Sequence, residues 1–85
     1  MGTTILIADD EKEIRDLLRL YLENENYTVV EASDGIEALE KLSGTDFDLA
    51  IIDIMMPGMN GHTLVKRIRE TNNLPVLFLS AKSDP

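Results

Sequence analysis

The chain has 85 residues, with 16 acidic and 8 basic side chains and a formal net charge of −8. One small domain is the most that this length can form, and the acidic balance excludes direct nucleic-acid binding, which rewards clustered Lys and Arg. Cysteine is absent, which excludes disulfides, and no apolar run approaches the roughly 20 residues that span a bilayer. Because the amino terminus also lacks a signal peptide's basic start, we expect a cytoplasmic protein that does not enter a membrane.

The first predicted elements are a strand and a helix. The apolar run Thr4–Ala8 predicts a short strand that ends in two acids, Asp9 and Asp10. Asp10 and Glu13 have the spacing of a capping box, so a cap for the next helix is one interpretation of Asp10. Apolar residues then recur at the spacing of an amphipathic helix laid on a sheet: Ile14, Leu17, Leu18, Tyr21 and Leu22.

A second strand and a second helix follow. Residues 27–32 are rich in β-branched side chains and predict a strand, in which Glu31 indicates a less buried position such as a sheet edge. Asp34 and Glu37 again have capping-box spacing, so we expect a helix that begins there and ends near Gly44.

The central predicted strand, Leu49–Asp53, is an apolar run that ends in a single acid. Consecutive apolar residues before Asp53 favour a strand buried on both faces, as in parallel sheets covered by helices. A proline and two glycines then end the strand, and Asn60 is a candidate cap for a third helix over 62–70.

A fourth apolar run, over 75–79, predicts a strand that leads to Ser80 and Ala81. Strands and helices therefore alternate along the whole chain. This alternation is typical of an α/β fold with a parallel sheet and right-handed crossovers.

Acidic side chains follow two of these strands, and the carboxyl ends of parallel strands meet at one edge of a sheet. If the first and third strands are neighbours, Asp9, Asp10 and Asp53 converge. Like charges at such short distances raise one another's pKa or require a cation, and Mg²⁺ with oxygen ligands suits the cluster. The alternatives are that Asp10 only caps a helix and that Asp53 is solvated in its loop.

A set of residues at the strand ends matches one family motif: Asp9, Asp10, Asp53, Met56, Pro57, Gly61, Ser80 and Ala81. With these residues the chain resembles the receiver domain of bacterial two-component response regulators over 5–81. The first helix and the Met-Met-Pro-Gly loop most resemble receivers of winged-helix transcriptional regulators. The resemblance implies a flavodoxin-like parallel sheet of about four strands in the order 2-1-3-4, flanked by three helices.

The resemblance also implies a role for each site residue. Asp53 would be the phosphoacceptor, which takes a phosphoryl group from a sensor histidine kinase. Asp9 and Asp10 would bind Mg²⁺ together with Asp53 and the backbone carbonyl of Met55. Ser80 would be the switch hydroxyl that bonds the phosphoryl group, and the backbone of Ala81 would approach that group. Such a domain is not an enzyme in the ordinary sense, because it catalyses at most its own phosphorylation and dephosphorylation.

The chain departs from the family in its extent. Receivers usually have a five-stranded sheet in the order 2-1-3-4-5, whereas residues 1–85 correspond to four strands. We therefore expect a partial receiver domain without an output domain, which lacks the lysine that follows the family's fifth strand. Lys82 follows the fourth strand and is not that lysine. An uncovered fourth strand would favour a homodimer or a domain-swapped oligomer formed through its edge.

Two other functions stay open at this point. A structural or assembly module would keep the receiver-like fold and self-associate without a competent phosphorylation switch. A Mg²⁺-dependent phosphohydrolase would use a similar Asp nucleophile, but such enzymes commonly have a second Asp two residues later, where this chain has Met55.

Overall fold

The computed structural model describes residues 2–79, along which four strands and three helices alternate. The strands are β1 (Thr4–Ala8), β2 (Thr28–Ala32), β3 (Leu49–Asp53) and β4 (Val76–Leu79). The helices are α1 (Lys12–Asn24), α2 (Gly35–Gly44) and α3 (Gly61–Arg69). No helix in this range combines the length and the apolar character needed to cross a membrane.

All strand pairs are parallel, as the sequence predicted, and the sheet has the order β2-β1-β3-β4, as the family resemblance implied. In the middle of the sheet Leu6 lies beside Val30 on one side and Ala50 on the other. The register between β1 and β3 pairs Ala8 with Ile52, so the next residue of each strand, Asp9 and Asp53, reaches the same edge of the sheet.

The strands are apolar on both faces because helices cover both sides of the sheet. On one face, α2 and α3 pack on a core that includes several alanines: Leu6, Ala8, Ala32, Ala38, Phe47, Ala50, Ile52, Met56, Leu64, Ile68 and Leu74. On the other face, α1 packs through Leu18 and Leu22 on a second core: Ile5, Ile7, Val29 and Ile51. Leu17 and Tyr21, which share the predicted apolar pattern of α1, are instead 49% and 64% exposed.

The predicted caps of α2 and α3 are confirmed. Asp34 accepts a hydrogen bond from the Glu37 amide at 2.8 Å, and Asn60 accepts one from the Thr63 amide at 2.9 Å. The interpretation of Asp10 as a cap is wrong, because Glu11 holds the cap position of α1 and makes no side-chain cap bond. The predicted bounds of three elements shift by one residue: β2 begins at Thr28, α3 spans Gly61–Arg69, and β4 begins at Val76.

Gly61 lies where α3 starts directly against the end of β3. A Cβ atom on this residue would lie 2.5 Å from the carbonyl oxygen of Asp53 and 2.9 Å from the Cα of Ile54. The Gly61 amide also donates a hydrogen bond to the carbonyl oxygen of Ile54 at 2.9 Å. A residue without a side chain is therefore required for the close approach of α3 to the strand that carries Asp53.

We expect Gly61→Ala to lower the free energy of unfolding by about 1–3 kcal/mol, because the added methyl group must displace backbone. The matched control is Gly44→Ala, since a Cβ on Gly44 meets no atom within 4 Å. That substitution should leave stability unchanged or slightly raised, because alanine is the better helix former. Urea unfolding followed by circular dichroism measures both variants, and equal stability of Gly61→Ala and the wild type would contradict the close approach.

Candidate metal and phosphoryl site

Three carboxylates meet at the carboxyl edge of β1 and β3. Asp9, Asp10 and Asp53 each offer an oxygen atom, and these oxygens all lie within 4.8 Å of one another. Asp9 and Asp53 are only 3% and 7% exposed, whereas Asp10 is exposed. The predicted convergence of the three acids is therefore present, and Asp53 is not solvated in its loop.

Short hydrogen bonds from the backbone orient the two buried acids. The amide of Glu11 donates to Oδ1 of Asp9 at 2.8 Å, and the amide of Met55 donates to Oδ1 of Asp53 at 3.1 Å. Each bond closes a short turn directly after its strand, so the strand end and the carboxylate are fixed together. The Asp9 amide also donates to the Ala32 carbonyl at 3.1 Å, which extends the pairing of β1 with β2 by one residue.

The electrostatics of the cluster oppose full ionisation. Burial is the largest cause that raises the pKa of Asp53, and the nearby carboxylates of Asp9 and Asp10 raise it further. Burial also raises the pKa of Asp9, as do the acidic side chains of Asp10 and Glu11. The hydrogen bonds from the Met55 and Glu11 amides favour the ionised forms and offset only part of this effect.

This donor set fits a hard divalent cation. All the side-chain ligands on offer are carboxylate oxygens, and among the described residues no ion pair includes Asp9, Asp10 or Asp53. A bound Mg²⁺ would remove the like-charge repulsion and would take its remaining ligands from water or a phosphoryl group. Asp9, Asp10 and Asp53 are the residues that would hold it.

Three further residues were predicted to belong to the site: Met55, Ser80 and Ala81. Met55 follows the site with an exposed side chain, and its carbonyl as a metal ligand stays a prediction. Ser80 and Ala81, the predicted switch hydroxyl and its neighbour, lie outside the described residues.

The contacts of Arg15 around Asp9 were not predicted from the sequence. Nη1 of Arg15 donates to the Asp9 carbonyl oxygen at 2.7 Å, and Nε of the same side chain donates to Glu31 at 2.8 Å. Arg15 follows Ile14 in the predicted helix, and the apolar pattern of that helix says nothing about a polar partner. The available signal was Glu31, an acid inside a predicted strand, which requires a cation if it is partly buried.

The fold and the acid cluster together define a receiver-type domain, and sequence comparison agrees. The family model described as the response regulator receiver domain matches residues 5–85. The chain belongs to this family. Receiver domains are signalling domains of response regulators.

Individual relatives support the same assignment. The chain is 53% identical over 83 residues to the response regulator GtcR of Aneurinibacillus migulanus, a match that covers 98% of this chain and 34% of that protein. The chain spans about a third of the length of the curated relatives it matches, which include transcriptional regulatory proteins. This agrees with the predicted likeness to receivers of winged-helix transcriptional regulators.

Solved structures share the fold. The chemotaxis protein CheY4 of Vibrio cholerae superposes with a TM-score of 0.93 at 34% identity, over 100% of this chain and 73% of that one. The response regulator TrrA of Thermotoga maritima, solved in complex with Mg²⁺-BeF, superposes with a TM-score of 0.77 at 43% identity. That match covers 80% of this chain and 59% of the TrrA chain.

The raised pKa values of Asp9 and Asp53 predict a specific pH dependence without metal. The folded chain binds a proton on Asp9 and Asp53 more tightly than the unfolded chain does. The stability that this proton binding contributes is therefore lost as pH rises from the ordinary pKa of 3.8 through the raised pKa. We expect Asp53→Asn, which keeps an oxygen acceptor for the Met55 amide, to raise the melting temperature of the metal-free chain at pH 7. The difference from the wild type should shrink as pH falls towards 3.8.

The control for this measurement is Asp46→Asn, which removes one charge from an exposed position. Glu31 and Glu37 have lowered pKa values, from hydrogen bonds to Arg19 and to the Ser33 amide respectively, and stabilise the fold less as pH falls below about 4.5. Because these acids are present in every variant, only the difference between Asp53→Asn and the wild type is interpreted. A melting temperature that falls at pH 7 in Asp53→Asn would contradict the charge crowding.

Proposed function

We propose that the chain is a phosphoacceptor domain that takes a phosphoryl group from a sensor histidine kinase onto Asp53, with Mg²⁺ bound at the acid cluster. The observation that carries the proposal is the placement of the buried Asp53 carboxylate within 4.8 Å of the oxygens of Asp9 and Asp10. Membership of the receiver family and the Mg²⁺-BeF complex of TrrA support the same assignment.

The proposed reaction is a phosphoryl transfer between two side chains. A carboxylate oxygen of Asp53 attacks the phosphorus of the kinase's phosphohistidine, and a P–O bond forms as the P–N bond breaks. The electron pair of the broken bond stays on the histidine nitrogen, which takes up a proton. The product is an acyl phosphate on Asp53 and a free histidine on the kinase.

The residues of this chain act mainly by position and charge in this proposal. The Met55 amide, bonded to one oxygen of Asp53 at 3.1 Å, leaves the other oxygen to act as the nucleophile. Asp9 and Asp10 bind the cation beside the nucleophile, and burial of Asp9 and Asp53 limits access of water to the reacting oxygen. Bound Mg²⁺ would supply neutralisation of the charge on the phosphoryl oxygens.

Several finer assignments stay predictions. They are Ser80 as the switch hydroxyl, the approach of the Ala81 backbone, the Met55 carbonyl ligand and the cytoplasmic location. The same holds for the description of residues 1–85 as a partial receiver domain and for its limited self-catalysis.

A second candidate function is self-assembly through β4. Within residues 2–79, β4 pairs with β3 alone, and Leu77 is 55% exposed. Phe78 is 40% exposed and lies against the His62 ring at 4.9 Å between centroids, so Leu77 is the more open of the two side chains. A strand with unpaired backbone and exposed apolar side chains favours pairing with a second copy.

We expect Mg²⁺ to stabilise the chain through the acid cluster, by about 2.7 kcal/mol at a hundred times its dissociation constant. Asp10→Asn should lose most of this gain, because it removes the exposed carboxylate ligand of the cluster. Asp46→Asn should keep the full gain. Thermal unfolding with Mg²⁺ and with a chelator measures the effect, and identical melting temperatures under both conditions would argue against the metal site.

We expect native mass spectrometry to detect one added phosphoryl group per chain after incubation with Mg²⁺ and a small phosphoryl donor. The addition should vanish with a chelator and in Asp53→Asn, and it should persist in Asp46→Asn. The same spectra report assembly. An unmodified oligomer that dissociates in Leu77→Lys would replace the phosphoacceptor proposal with the second candidate, whereas modified Asp53→Asn would require a different acceptor.

A further inference from the structure

Arg15 connects three elements beside the acid cluster. It belongs to α1, its Nη1 donates to the carbonyl oxygen of Asp9 at 2.7 Å, and its Nε donates to Oε1 of Glu31 in β2 at 2.8 Å. The planar guanidinium holds both bonds in one fixed geometry. The end of β1 is therefore attached through one side chain to the edge strand of the sheet.

The pair that Arg15 forms with Glu31 is sheltered from solvent. Its side chains are 14% and 22% exposed, whereas the Lys12–Asp16 pair on the same helix is 76% and 55% exposed. Exposed pairs contribute little and are screened by salt, but a sheltered pair keeps a defined geometry. Glu31 is thus a fixed anchor for Arg15.

Arg15 completes the immobilisation of Asp9. The Asp9 amide donates to Ala32, its carboxylate accepts from the Glu11 amide, and its carbonyl accepts from Arg15. All three groups through which Asp9 can hydrogen-bond are therefore engaged. Of these contacts, the one from Arg15 is the only one made by another side chain, and it lies at the peptide that joins Asp9 to Asp10.

We infer that Arg15 is a positioning residue for the metal pocket. By tying the Asp9 carbonyl to Glu31, it sets the direction in which the Asp9-Asp10 turn presents its carboxylates towards Asp53. This inference rests on the proposed Mg²⁺ site. Arg15 donates to the Asp9 backbone and to Glu31 and to none of the three pocket carboxylates, so it shapes the pocket without occupying a ligand position.

Arg19 provides a matched control one helical turn further along α1. Its Nε donates to Glu31 at 2.6 Å, and its Nη2 donates to a backbone carbonyl, that of Val29, at 3.2 Å. Both arginines therefore bind Glu31, and each also binds one backbone carbonyl. Only the carbonyl bound by Arg15 belongs to the acid cluster.

The test is the dissociation constant for Mg²⁺, measured by isothermal titration calorimetry in folded protein. We expect about tenfold weaker binding in Arg15→Ala, the lower end of the range for residues that orient metal ligands. Arg19→Ala should stay within about twofold of the wild type, even if its melting temperature falls as far as that of Arg15→Ala, because Arg19 bonds to Glu31 and to the Val29 carbonyl but makes no hydrogen bond to Asp9. Arg15→Lys should fall between the wild type and Arg15→Ala, because an ammonium group cannot reproduce the fork of two bonds.

Glu31→Gln tests the role of Glu31 as the anchor of Arg15. It replaces Arg15→Ala in the experiment if that variant does not fold. Weaker Mg²⁺ binding in Glu31→Gln, with no further loss in the double variant Arg15→Ala/Glu31→Gln, would support one connected path from Glu31 to Asp9. Equal Mg²⁺ affinity in the wild type, Arg15→Lys and Glu31→Gln would overturn the inference and leave the proposed function intact. Absence of Mg²⁺ binding by the wild type would overturn both.

Discussion

The repulsion between carboxylates at the end of β1 and β3 is the constraint around which the structure is arranged. The register that pairs Ala8 with Ile52 leaves Asp9 and Asp53 side by side, and burial raises the pKa of both. This arrangement opposes folding at neutral pH unless a cation or a proton is bound. The rest of the domain must therefore hold the two strand ends in place against an unfavourable local interaction, and binding of the proposed cation would stabilise the folded chain.

The two faces of the sheet fix that register, because they differ in side-chain size at several positions, although Leu6 and Ile52 also lie on the face that carries the alanines. The face under α2 and α3 carries Ala8, Ala32 and Ala50, which allow the helices to approach closely, whereas the face under α1 carries Ile5, Ile7 and Ile51. A slip of one residue would exchange these sets and place branched side chains at positions that alanine now fills. Gly61 sets a similar steric limit where α3 meets the end of β3, because a methyl group there would collide with the carbonyl of Asp53.

Local patterns in the sequence were sufficient for the strands, the helices and a parallel sheet, whereas the strand order that brings the acids together was implied by the family resemblance. Apolar runs, caps such as Asp34 and Asn60, and the acids at strand ends are short-range signals, and strand ends in a parallel sheet meet at one edge whatever the details of packing. The contacts of Arg15 and Gly61 depend instead on how α1 crosses β2 and how α3 meets β3. Helical periodicity gives the apolar face of α1 but not the partner of each polar side chain, so Glu31 was interpreted as a mark of the edge and not as the anchor of Arg15. The exposure of Leu17 and Tyr21 was not predicted for the same reason. Helical periodicity does not say how wide a stripe of the helix the sheet covers.

The position of Arg15 also explains why the pocket keeps its unbalanced charge. A guanidinium beside a carboxylate cluster would ordinarily form bidentate bonds to it and neutralise part of the charge. Here Glu31 engages one edge of the guanidinium and the Asp9 backbone carbonyl engages Nη1, while Arg19 holds the second oxygen of Glu31 at 2.6 Å. The Arg15 guanidinium is therefore hydrogen-bonded to β2 and to the backbone. The carboxylate oxygens of Asp9, Asp10 and Asp53 stay available to an external ligand. In the proposed function, the arginine that orients the pocket therefore leaves the three carboxylates free to bind Mg²⁺ beside a phosphoryl group.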